Sequence, residues 1–84
     1  MKRYTVVWHQ LAKDDLAEIW LAATDRRAVT SAADRIDVLL ANNPAEQGSQ
    51  VSPRTRELSI APLQVLYHVL KDDCIVRVFS AAQF

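Results

Sequence analysis

The sequence predicts an α+β domain of order β-α-α-β-β-β, with a helical hairpin packed on one face of a small, mostly antiparallel sheet. Three observations predict it. Apolar residues alternate with period two near the start, and from Leu11 to Leu40 they recur at helical spacing. After a polar stretch containing Gly48, Pro44 and Pro53, they return as three strand-like runs. A chain of 84 residues is expected to make a single domain, 1–84, around one modest core. Its hydrophobic fraction of 50% is ample for that core and argues against disorder.

Each element has its own warrant. Residues 3–8, Arg-Tyr-Thr-Val-Val-Trp, are β-branched and aromatic, with Tyr4, Val6 and Trp8 on one side of a first strand. From about Leu11 the period changes. Ala12, Leu16, Ile19, Trp20 and Ala23 form one stripe of a helix ending near Ala23. Asp14, Asp15 and Glu18 fall near its beginning, where the helix dipole favours negative charge. Thr24 and Asp25 are capping types, and behind them Val29, Ala32, Ala33, Ile36, Leu39 and Leu40 continue the stripe in a second helix. Asn42-Asn43-Pro44 ends it, because proline disfavours the α conformation of its predecessor.

Residues 44–53 read as a loop, the most mobile segment. Three strands follow: Arg54 to Ile60, Leu63 to Leu70, and Cys74 to Ala81. Lys71-Asp72-Asp73 is a polar turn that joins the last two as a hairpin. The continuous run Ile75-Val76-Arg77-Val78-Phe79 predicts a central strand buried on both sides. The helices cover one face, so function is to be sought on the other.

Ten basic and ten acidic residues cancel, so no overall field draws the chain to nucleic acid or an anionic membrane. Lys2, Arg3 and Lys13 make the start basic, while Arg54, Arg56 and Arg77 sit in the second half, so any anion site is local. Cys74 is the lone cysteine, which excludes an intramolecular disulfide and fits a reducing cytoplasm. No apolar run is long enough for a signal peptide or a membrane span. The sequence predicts no metal site, no cofactor and no membrane partner.

Nucleophilic catalysis would need a base, and His9 and His68 are the two histidines. His9 falls at a strand-to-helix junction and reads as a cap or surface residue. His68 alternates with Tyr67 in the most apolar strand and reads as packing. The arginines remain: Arg54 and Arg56, two apart on one strand, should share a face, and Arg77 is a charge amid apolar neighbours. Together they could bind phosphate, a nucleic-acid backbone or the carboxylates of an acidic partner. In the alternative, Arg77 pairs with Glu57 or an aspartate across the sheet while the other two are solvated.

Several runs in this order resemble the RelE/ParE toxin superfamily, the plasmid-stabilisation-like toxins of type II toxin-antitoxin pairs. Tyr4-Thr-Val-Val-Trp8 and Ala12-Lys-Asp-Asp-Leu16-Ala-Glu-Ile19 resemble its opening strand and first helix. Arg56-Glu-Leu58, Val65-Leu-Tyr67-His-Val69 and Ile75-Val-Arg77-Val-Phe79 resemble its core hairpin. The resemblance implies a cytoplasmic toxin neutralised by a cognate antitoxin. It also implies one of two activities: messenger-RNA cleavage on the ribosome in RelE-like members, or poisoning of DNA gyrase in ParE-like members. Against the nuclease pattern, two arginine positions correspond to Gln64 and to Phe84. The expectation is therefore a ParE-like toxin that acts by binding, with Arg54, Arg56, Gln64, His68 and Arg77 meeting a partner. The alternatives are a diverged ribonuclease using Arg54, Arg56, Arg77 and Tyr67, or a non-toxic homologue that keeps only antitoxin binding.

Overall fold

The alternation of half-buried Val6 and Trp8 with exposed Thr5 and Val7 forms the first strand, β1 (Thr5–Trp8). In the computed structural model, residues 3–84 are described. Lys2, part of the basic start, lies outside the described residues. Helix α1 (Gln10–Ala22) follows at once, with His9 as N-cap: its Nδ1 accepts from the Leu11 N–H at 3.1 Å. Ala12 of the predicted stripe is fully buried, and Leu16, Ile19 and Ala23 pack against the core. Trp20 departs from the expectation, being 40% exposed. The Arg26 guanidinium lies 4.5 Å from its ring centroid and donates to the carbonyls of Trp20 and Leu21, a cationic cap at the end of α1.

The acids of α1 also differ from their predicted role. The helix starts at Gln10 and carries no acid in its first turn. Asp14 instead accepts from Gln10 Nε2 at 2.8 Å, and Asp15 accepts from the Ala81 N–H at 3.2 Å. Helix α2 (Arg26–Asn42) starts where Asp25 accepts from the Ala28 N–H at 3.1 Å, satisfying one of the donors a helix start leaves free. It buries Val29, Ala32, Ile36 and Leu40. Asp37 is half-buried and accepts from Trp8 Nε1 at 2.7 Å, tying α2 to β1.

Residues 44–53 are not the loose connection expected. Pro44–Glu46 form a 3-10 turn, Gly48 takes φ +60°, and Ser49–Ser52 form the edge strand β2. β3 (Thr55–Ile60), β4 (Leu63–Leu70) and β5 (Ile75–Gln83) complete a sheet of order β1-β5-β4-β3-β2. β1 runs parallel to β5 and every other pairing is antiparallel, so the sheet is mostly antiparallel as predicted. The turn between β4 and β5 is a single 3-10 turn, Lys71–Asp73, closed by Cys74 at φ 52°.

Burial alternates along β4 and β5, so the expectation of two-sided burial for β5 is corrected. Val76 and Val78 are buried under the helices while Arg77 between them is exposed. The strand is interior to the sheet, and its long apolar run serves one covered face and one half-open face. A register shift against β4 sets Leu66 opposite Ser80 and Tyr67 opposite Val78, leaving Phe79 as the extra residue of a β-bulge. The bulge turns Ala81, which strict alternation would send outward, into the core with Ala12.

Candidate functional site

Register decides which face each candidate side chain occupies. Arg56 pairs with Tyr67, and Tyr67 is fully buried on the helix side, so Arg56 also projects to that side. The Tyr67 hydroxyl lies between two carbonyl oxygens, 2.8 Å from Pro44 and 2.9 Å from Gln47. Arg56 donates to the same Gln47 carbonyl through Nε at 3.1 Å and Nη2 at 2.9 Å, and to Gly48 at 3.4 Å. Burial pushes the Tyr67 pKa above its ordinary 10.0, with the Arg56 guanidinium pulling only partly the other way. Tyr67 is thus a neutral donor that fastens the 44–48 segment, and its hydroxyl does not face the open sheet.

Arg54 and Arg56 do not share a strand face as the sequence suggested. Arg54 is exposed in the turn between β2 and β3, outside the strand. On the open face, Arg77 stands opposite His68, and Glu57 stands opposite Leu66, so in the alternative reading Arg77 and Glu57 are not direct cross-strand partners. His68 is half-buried: its ring packs on Phe79 with centroids 4.4 Å apart, and its Nε2 is 3.3 Å from Thr55 Oγ1. Gln64 lies on the same open face at the far end of β4, opposite Ala82. Phe84 is 66% exposed, and its N–H donates to the Pro62 carbonyl at 3.1 Å.

The structure therefore brings four of the predicted residues together and leaves Gln64 and Tyr67 apart. Arg54, Arg56, His68 and Arg77 all line a cleft of about 650 Å³ at the end of the sheet where β3 begins and β4 ends. Gln64 and Phe84 are not among its lining residues. Lys71, which the sequence presented only as turn chemistry, lines the cleft as well. The hairpin itself held that signal: antiparallel pairing of β3 with β4 sets the start of one beside the end of the other. A second groove of about 500 Å³, between β1 and the helices, is lined by Lys13 but also by Asp34 and Asp37, so its charges oppose one another. Among the described residues no cluster of His, Cys, Asp and Glu could hold a metal ion.

Residues 6–83 match the family model of the ParE toxin of type II toxin-antitoxin systems, parDE. The chain is similar in fold to the RelBE2 toxin-antitoxin complex of Mycobacterium tuberculosis, with TM-score 0.83 and 17% identity over 100% of this chain and 94% of that one. It is similar to the chromosomal ParDE system of P. aeruginosa, with TM-score 0.75 and 15% identity over 96% of each chain. It is also similar to a double-arginine mutant of the E. coli toxin RelE in the free state, with TM-score 0.71 and 12% identity over 96% of this chain and 83% of that one. No curated protein sequence matches it.

Proposed function

The chain belongs to the ParE toxin family of type II toxin-antitoxin systems, and from that premise we propose that it is the toxin of such a pair and acts by binding. A cognate antitoxin neutralises it. Released, it binds a protein target in the cytoplasm, DNA gyrase, and does not cut messenger RNA. No helix among the described residues is long and apolar enough to cross a membrane.

The placement of Arg56 and Tyr67 carries this reading. Cleavage through the 2′-hydroxyl requires a preorganised cation where charge builds on the phosphate, and losing one such donor costs about 3–4 kcal/mol. Arg56 and Tyr67, two of the four residues a diverged nuclease would use, are committed to the main-chain carbonyls of Pro44, Gln47 and Gly48. Gln64 brings no charge to the open face, and the balanced composition gives no field to hold a polyanion. The toxin-antitoxin complexes among the structural neighbours support a polypeptide as the partner.

Induced expression in a bacterial host, read by mapping transcript ends and by scoring DNA breaks, tests it. The expected result is filamentation and gyrase-linked breaks without new transcript ends. Ribosome-dependent cuts would overturn the proposal in favour of a nuclease, and an absence of any growth effect would leave only an antitoxin-binding homologue.

A further inference from the structure

The chain is neutral overall, yet its cations are not spread evenly. Arg54, Arg56, Lys71 and Arg77, four of its ten Lys and Arg residues, line the one cleft at the end of β3 and β4, and no Asp or Glu lines it. Arg56 is held by the 44–48 carbonyls, whereas Arg54, Lys71 and Arg77 are exposed with their charges toward solvent. Asp72 and Asp73, in the same turn as Lys71, do not line the cleft. Pro53, Val69 and Leu70 add an apolar part to the same lining. A pocket with convergent charged groups around an apolar patch is suited to a side chain of each kind.

We infer that this cleft is a docking site for an acidic polypeptide segment, taking its carboxylates on Arg54 and Arg77 and a neighbouring apolar side chain on Pro53, Val69 and Leu70. The inference rests on the reading that the partner is a protein, and it names the chemistry of the segment that partner presents. Arginine forks hold carboxylates bidentately, and such charge-assisted bonds are about twice as strong as neutral ones. A nucleic-acid strand fits the same observations poorly. Its phosphates repeat along the backbone and need a track of cations, but the open face beyond the cleft carries Glu57, Ser59, Gln64 and Leu66 on β3 and β4. The positive region is short, sized for one or two anionic groups.

The test uses the full chain with three labelled probes of about eight units: an acetylated peptide alternating Glu and Leu, its Gln and Leu counterpart, and a single-stranded RNA. Fluorescence anisotropy at about 50 and 300 mM salt gives the affinities, since pairing of exposed charges weakens with screening. The Glu peptide is expected to bind at least about tenfold more tightly than the Gln peptide, and less tightly at high salt. Arg54→Gln and Arg77→Gln are each expected to weaken it about five- to tenfold, while Arg35→Gln, exposed on α2, leaves it unchanged. Backbone amide shifts on titration should centre on Arg54, His68, Lys71 and Arg77. Equal binding of the two peptides, RNA binding as tight as the Glu peptide, or no binding at all would overturn the inference. Transcript cutting in cells is a separate result: it would sink the binding-toxin reading while leaving a measured peptide site in place.

Discussion

Replacing Tyr67 by phenylalanine removes one buried oxygen and leaves the ring in place, which isolates the polar contribution of the clamp on residues 44–48. Pro44 and Tyr67 are both fully buried, and the hydroxyl is the partner of the Pro44 carbonyl at 2.8 Å. The second acceptor, Gln47, keeps its bonds from Arg56 at 2.9 and 3.1 Å. One buried acceptor is therefore stranded and one is cushioned, a cost of about 2 kcal/mol. For a chain of 84 residues that lowers Tm by about 11 °C. Because Arg56 and Tyr67 share the Gln47 carbonyl, the double change Arg56→Met with Tyr67→Phe should cost about 1 kcal/mol more than the sum of the single changes. The neutral hydroxyl also makes a pH prediction. Its folded-state pKa lies above 10.0, so its stabilisation is complete below pH 10 and drains away as pH rises through the folded value. Urea titrations across the alkaline range should show a decline in the parent chain that is flattened in Tyr67→Phe. A cost for Tyr67→Phe below about 0.5 kcal/mol, or additive single changes, would refute the shared-acceptor geometry.

Two further changes probe the framework of the site. Gly48→Ala places a Cβ inside the van der Waals envelope of the Glu57 carbonyl and forces a side chain into positive φ, so it should cost at least about 3 kcal/mol. An unfolding free energy from urea titration lowered by less than about 1 kcal/mol would mean that β2 and β3 can separate at that point. Asp15→Ala strips the acceptor from the Ala81 N–H on β5 and should cost about 1.5 kcal/mol, whereas Asp15→Asn, which keeps an oxygen, should cost less than half of that. Equal costs for the two would show that charge, not the hydrogen bond, is what α1 supplies to β5.

Where side-chain pattern and local chemistry agreed, the fold was legible. His9 and Asp25 announce their helices as caps, and Leu63, Val65 and Tyr67 announce the covered face of β4 by strict alternation. β2 was missed because Ser49-Gln50-Val51-Ser52 has Val51 alone of the β-branched and aromatic types that mark strands; the edge pairing with β3 makes it a strand, and propensity does not. Trp20 was assigned to the core by its spacing, but it sits at the last turn of α1, where Arg26 covers it. The candidate residues were found by type, while their faces were not. Counting by two from Arg54 presumed a strand that begins one residue later.

Strand register separates Arg56 from Arg77 in what each can do. Arg56 and Arg77 have the same chemistry. Arg56 falls in register with Tyr67 and turns toward the helices, where it meets only carbonyls; Arg77 falls in register with His68 and turns outward. A one-residue slip between β3 and β4 would exchange the faces of Arg56 and Thr55, exposing a cation and stripping Gln47 of two of its donors. The register is held against that slip by Leu58 opposite Val65 and Ile60 opposite Leu63, apolar pairs on the covered face that could not turn outward without losing their burial. The apolar core thus fixes the charge pattern of the cleft: which arginine reaches a partner follows from which leucines and valines must stay dry.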